Sequence, residues 1–294
     1  MTKPGAGASL SGFFTRHWAL VIAFALIAVP TLIRLAEQVW PLEIGAHGPI
    51  VLATGAWLLF HVRGELLANA SRPPMALVAA LFAVAFSIYV FGRAYDLLAL
   101  EAVGLYLFFI ASAVLLLGLR PLRKDMFPFI YPAFLIPPPG WVLDQLTFPL
   151  QRFVSWVSTE GLAQLGYPIA REGVIIFIAQ YQLLVEDACS GMNSLIGLSA
   201  VMLFYIYIIH RASLLYAGTL ALAILPIAIF ANVVRVIALI LLTYYFGDEV
   251  AQGFMHVTTG VVLFAFALAL TILLDSALRR ILARRRAGPE TAHG

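Results

Sequence analysis

Apolar runs of about 20 residues, separated by short polar breaks, succeed one another along almost the whole chain. About 20 mostly apolar residues cross a bilayer as a helix. On that rule the pattern predicts eight spans, at roughly 17–36, 48–62, 74–92, 99–119, 126–142, 190–210, 213–246 and 256–276. The fifth is crossed by Pro128, Pro132 and Pro137-Pro138-Pro139, which predicts a kinked segment ending near the triple proline. The first run is long, carries Pro30 and is followed by many more, so it reads as a span and not as a cleaved leader.

One long stretch, Trp141 to Asp187, is too polar to span. Leu146, Leu150, Phe153, Val154 and Val157 recur there at helical spacing, predicting an amphipathic helix over 145–165 that lies on the membrane interface. Trp141, Phe148, Phe153 and Trp156 fit an interfacial aromatic belt better than a substrate cage. Val174–Ala179 and Gln182–Val185 are rich in β-branched and aromatic residues and predict a short hairpin.

Composition agrees. Hydrophobic residues make up 62% and charged residues 11%, which excludes an ordinary soluble domain. The net charge of +3 is explained by topology and needs no nucleic acid. With the N-terminus inside, Lys3, Arg16, Arg63, Arg72, Arg120, Arg123, Lys124, Arg211 and the arginines at 279, 280, 284, 285 and 286 all fall on the cytoplasmic side. The expected fold class is therefore an all-α polytopic membrane protein, N-in and C-in. Residues 1–16 and 277–294 are tails, and 17–276 form one membrane domain.

The candidate chemistry sits at three points. Cys189, the single cysteine, excludes a disulfide and lies where the polar lead-in meets the sixth span. A helix N-terminus there would favour thiolate. Arg235 lies about 33 Å up the seventh span from Ser213, and His256 opens the eighth. All three are expected at one depth on the outer face, on consecutive helices joined by short loops. A thiolate attacks, an imidazole moves protons, and a guanidinium stabilises an oxyanion or clamps a carbonyl. Asn232, one helical turn before Arg235, can orient it, and Gly260 permits close approach below His256. Glu186 and Asp187 either orient His256 or serve the helix dipole.

Bland readings stand beside each of these. A lone membrane cysteine is most often a packing residue, a histidine at a helix end is usually solvated, and an arginine near an interface can snorkel. Arg235 resists dismissal most, because charge within a span is costly and usually faces an interior. A metal site from His256, Glu186 and Asp187 has weak support, and the paired-histidine helix motif of zinc proteases is absent, so neither metal nor cofactor is expected.

Read together, Glu186-Asp187-Ala188-Cys189-Ser190-Gly191, then Asn232-Val233-Val234-Arg235, then His256 with Gly260, resemble the exosortase/archaeosortase family. The resemblance covers mainly residues 120–275. It implies a membrane cysteine protease or transpeptidase with Cys189 as nucleophile and Arg235 and His256 completing the site. Glu186, Asp187, Ser190, Gly191, Asn193, Asn232 and Gly260 are its expected supporting residues. The implied partners are exported, membrane-anchored proteins whose C-terminal sorting signal has a Pro-Glu-Pro-like motif, a hydrophobic helix and a basic tail. The implied location is a bacterial inner membrane with the site facing the periplasm, in exopolysaccharide-producing cells. The alternative reading is a non-catalytic transporter or assembly factor in which Arg235 binds an anionic ligand or lipid.

Overall fold

The computed structural model describes residues 10–42, 45–184, 193–210, 214–247, 249–251, 265–266 and 268–280. In chain order the elements are α1 (Leu10–Gln38), α2 (Gly48–Ala68), α3 (Met75–Ala94), α4 (Leu98–Leu117), α5 (Leu119–Lys124), α6 (Phe127–Ile130) and a 3-10 turn (Tyr131–Leu135). There follow α7 (Gly140–Gln164), β1 (Ile169–Glu172), β2 (Ile175–Ile178), β3 (Tyr181–Leu184), α8 (Asn193–His210) and α9 (Leu214–Phe246). A final helix runs over 268–280. Among the described residues, five helices are long and apolar enough to cross a membrane: α1, α2, α3, α4 and α9. The shorter α8 has an apolar stretch over Ser199–Ile209. The chain is thus a mostly helical, multi-pass membrane protein.

The helices form two compact units. The first takes in residues up to 41 together with 49–137. Its tightest seam is α3 against α4, and glycine makes it possible. A Cβ on Gly104 would come within 2.6 Å of the Tyr89 Cα, and one on Gly92 would collide with the backbone of Leu100 and Glu101. Backbones approach this closely only where one partner has no side chain. α1 packs on α4 beside that seam. Pro30 lies inside α1, and next to it the Thr31 hydroxyl oxygen lies 3.0 Å from the Ile27 carbonyl.

The predicted fifth span is not one helix. Pro128 and Pro132 each remove a backbone donor, so the chain makes one α-turn, then a 3-10 turn, and leaves them at Ile136 in extended conformation. The break is braced by side chains. Tyr131 is buried and shares a 2.8 Å hydrogen bond with the Thr54 hydroxyl, and Tyr106 donates to the Phe129 carbonyl at 3.2 Å.

The second unit takes in 42–48 and everything from 138 onward. Here α7 is the predicted amphipathic helix, starting five residues earlier than expected, with Phe148, Phe153 and Trp156 exposed and Val154 and Leu162 buried. The predicted hairpin is a three-stranded antiparallel meander, β1-β2-β3. Its first strand, Ile-Ala-Arg-Glu, has no apolar alternation, which is why the sequence pattern passes over it. Pairing runs Arg171 to Ile176 and Ile176 to Leu183, so the period of two buries Ile176 and Ile178. They join Val154 and Leu162 of α7 and Val233, Val236, Leu239 and Ile240 of α9 in one core. Taking such a side chain out of water is worth about 1.5–3 kcal/mol.

Candidate functional site

α9 carries two different packing faces in succession. Leu220, Ile224, Ala228 and Ala231 pack with Met202 and Ile206 of α8. From Val233 onward the buried residues pack instead with α7 and the sheet. Asn232 and Arg235 stand where one face gives way to the other. Asn232 is 2% exposed and Arg235 half-buried, in a helix whose other core positions are almost all apolar. A buried amide and a guanidinium cost free energy at such a place, and residues of this kind face interiors or cavities with a chemical use.

The antiparallel pairing of α8 and α9 also sets levels. Arg235 lies seven residues beyond Ala228, about 10 Å at the helical rise, and Asn193 lies nine residues before Met202, about 14 Å. Asn193 is the first residue of α8. Cys189, Glu186, Asp187, Ser190 and Gly191, together with His256 and Gly260, lie outside the described residues.

Three helices of this unit nevertheless converge visibly. The Asp275 carboxylate on the final helix is 3% exposed and accepts from Tyr205 of α8 at 3.1 Å and from Tyr216 of α9 at 2.7 Å. Arg279 completes the cluster one turn on, its Nη2 3.1 Å from Asp275 Oδ2. Further along, the rings of Phe230 on α9 and Phe266 stack with centroids 6.4 Å apart. The three helices that follow Cys189, carry Arg235 and follow His256 are therefore mutual neighbours.

The first unit holds a charged constellation that sequence reasoning missed. Glu101 is fully buried, with Arg34 Nη1 at 2.5 Å and Arg93 Nη1 at 2.8 Å. The Thr31 hydroxyl donates to the same carboxylate at 2.8 Å, and Arg34 also pairs with exposed Asp96. The signal for it in the sequence is an acidic residue, Glu101, inside an apolar run.

A sequence model of the transmembrane exosortase family matches residues 40–273. The chain belongs to that family. No curated protein and no solved structure matches it. The matched span includes Cys189, Arg235 and His256, the broken proline segment, the meander, the helices from α2 to α9 and the start of the final helix, leaving α1 and the residues beyond 273 outside. Family membership and the span content agree on a multi-pass membrane protein.

Proposed function

We propose that this exosortase-family protein is a membrane cysteine protease or transpeptidase that cleaves C-terminal sorting signals of exported proteins. Cys189 attacks the scissile carbonyl and forms a thioester. His256 accepts the thiol proton and returns a proton to the leaving amine. Arg235 stabilises the oxyanion, with Asn232 orienting it, and water or an acceptor amine then releases the acyl group. The eight-span N-in, C-in topology, with tails at 1–16 and 277–294 and the site on the periplasmic side of an inner membrane, belongs to the same reading.

One observation carries it: Arg235, the half-buried arginine of the N-x-x-R motif, lies on a helix packed against the two helices that adjoin the cysteine and histidine segments. Convergence of α8, α9 and the final helix through Tyr205, Tyr216 and Asp275 is what a three-residue site spread over 67 residues of sequence requires.

The test uses the single thiol. In sealed, oriented vesicles a membrane-impermeant alkylating reagent should label Cys189 from the outer face, quickly and well below the pH of an ordinary thiol, and His256→Ala should slow it. Cys189→Ala should stop processing of a co-expressed substrate with its sorting signal, with the fold intact. Processing that survives Cys189→Ala defeats the proposal.

A further inference from the structure

The first unit contains a slot that the functional reading does not use. Phe24, Leu32 and Leu35 of α1, Leu52 and Leu59 of α2, Leu105 of α4 and the broken proline segment line a half-open cavity of about 250 Å³. Its lining is almost wholly apolar. The one hydroxyl near it, on Tyr106, already donates to the Phe129 carbonyl. Water needs two or more polar partners to be held in a cavity, so this one is not a water site.

Depth follows from where the lining residues fall. On α1 they run from Phe24 to Leu35, toward the end that carries Arg34; on α4 they run from Ala102 to Phe109, starting beside Glu101. On α2 they begin three residues after its N-terminus. The slot therefore occupies the half of the unit nearest the Arg34–Glu101 end. The ion pair holds α1 against α4 beside it, so the slot is walled by a pinned seam.

We propose that this slot holds one acyl chain of a bilayer phospholipid. Size decides the occupant. An apolar cavity of about 150 Å³ takes a six-carbon benzene ring, so 250 Å³ takes on the order of ten carbons in single file. A helix about 10 Å across, such as a substrate anchor, is too wide for it. Lipid tails gain nothing from leaving lipid, so the chain is held by packing: an unfilled slot forfeits the dispersion contacts of its whole lining. This site is independent of the Cys189 reading.

The full chain, reconstituted in phosphatidylcholine–phosphatidylglycerol vesicles, would be irradiated with a trace of phospholipid bearing a mid-chain diazirine. Adducts mapped by mass spectrometry should concentrate on Leu52, Leu59 and Leu105. Ala56→Phe, which pushes a ring into the slot from its exposed rim, should lower them several-fold; Leu59→Trp should do the same. Ala83→Phe, on an exposed face of α3 outside the slot, should leave them unchanged. Two results overturn the proposal. One is labelling spread evenly over exposed α3 positions such as Val84 and Val90 and indifferent to Ala56→Phe. The other is loss of the adducts on adding an apolar helical peptide at constant lipid composition, which would give the slot to a peptide.

Discussion

Arg34 Nη1 lies 2.5 Å from Glu101 Oε2, joining one end of α1 to one end of α4 across 67 residues of sequence. Arg93 at the end of α3 closes on the same carboxylate. Three helix ends are thereby fastened to one buried charge.

Removing that charge takes the buried counterion from both Arg34 and Arg93 and leaves Arg34 the exposed Asp96, and breaking a buried pair from one side costs about 3–5 kcal/mol. Glu101→Gln should therefore lower the unfolding temperature in detergent strongly. Asp96→Asn removes only an exposed partner, 85% accessible at its side chain, and should change stability by at most about 1 kcal/mol. Equal effects of the two substitutions would refute the pin.

Glycine at the α3–α4 seam makes a second prediction. Gly104→Val places its side chain inside Tyr89 and must part the helices, whereas Gly64→Ala meets nothing within 4 Å. Gly104→Val should abolish the folded first unit or cost several kcal/mol, as overpacking does at its upper end. Gly64→Ala should be neutral or slightly stabilising, since alanine is the better helix former by about 1 kcal/mol. Protease resistance of the two variants in membranes distinguishes these outcomes.

At Asp275 the expected order of damage follows from burial. Asp275→Leu takes the carboxylate from two tyrosine hydroxyls, leaving Tyr216 the backbone carbonyl of residue 275, and should be the worst. Tyr216→Phe removes one 2.7 Å hydrogen bond to a charged group, about 1.5–3 kcal/mol. Arg279→Gln removes a half-exposed partner one turn away and should cost no more than about 0.5 kcal/mol. Denaturation of the three variants, compared in one detergent, gives the order directly.

For the proposed chemistry, Arg235 separates the two functional readings. A planar, bidentate guanidinium that clamps a carbonyl or oxyanion is not replaced by a point charge, so Arg235→Lys should lose processing almost as fully as Arg235→Ala. A transporter or assembly role that needs only positive charge predicts that lysine retains a substantial part of the activity. Substrate cleavage in membranes carrying each variant reads the difference.

The elements that were legible in the sequence are those with a local cause. A bilayer's thickness sets how long an apolar run must be, so α1 to α4, α8 and α9 could be marked out from hydropathy, and helical spacing marked out α7. The short motifs were legible too, because their residue types sit side by side on the chain. What the sequence left open depends on partners far away along it. The fifth run was apolar enough to span, but its prolines removed the donors a continuous helix needs, and only the bracing by Thr54 and Tyr106 settled its path. β1 carries no pattern of its own and exists because β2 accepts it. Glu101 and Asp275 are single carboxylates within apolar runs of the sequence. Tertiary structure alone brought Arg34 to Glu101 and Tyr205 and Tyr216 to Asp275, since a buried charge is stable only beside groups that satisfy it, and these come from other helices.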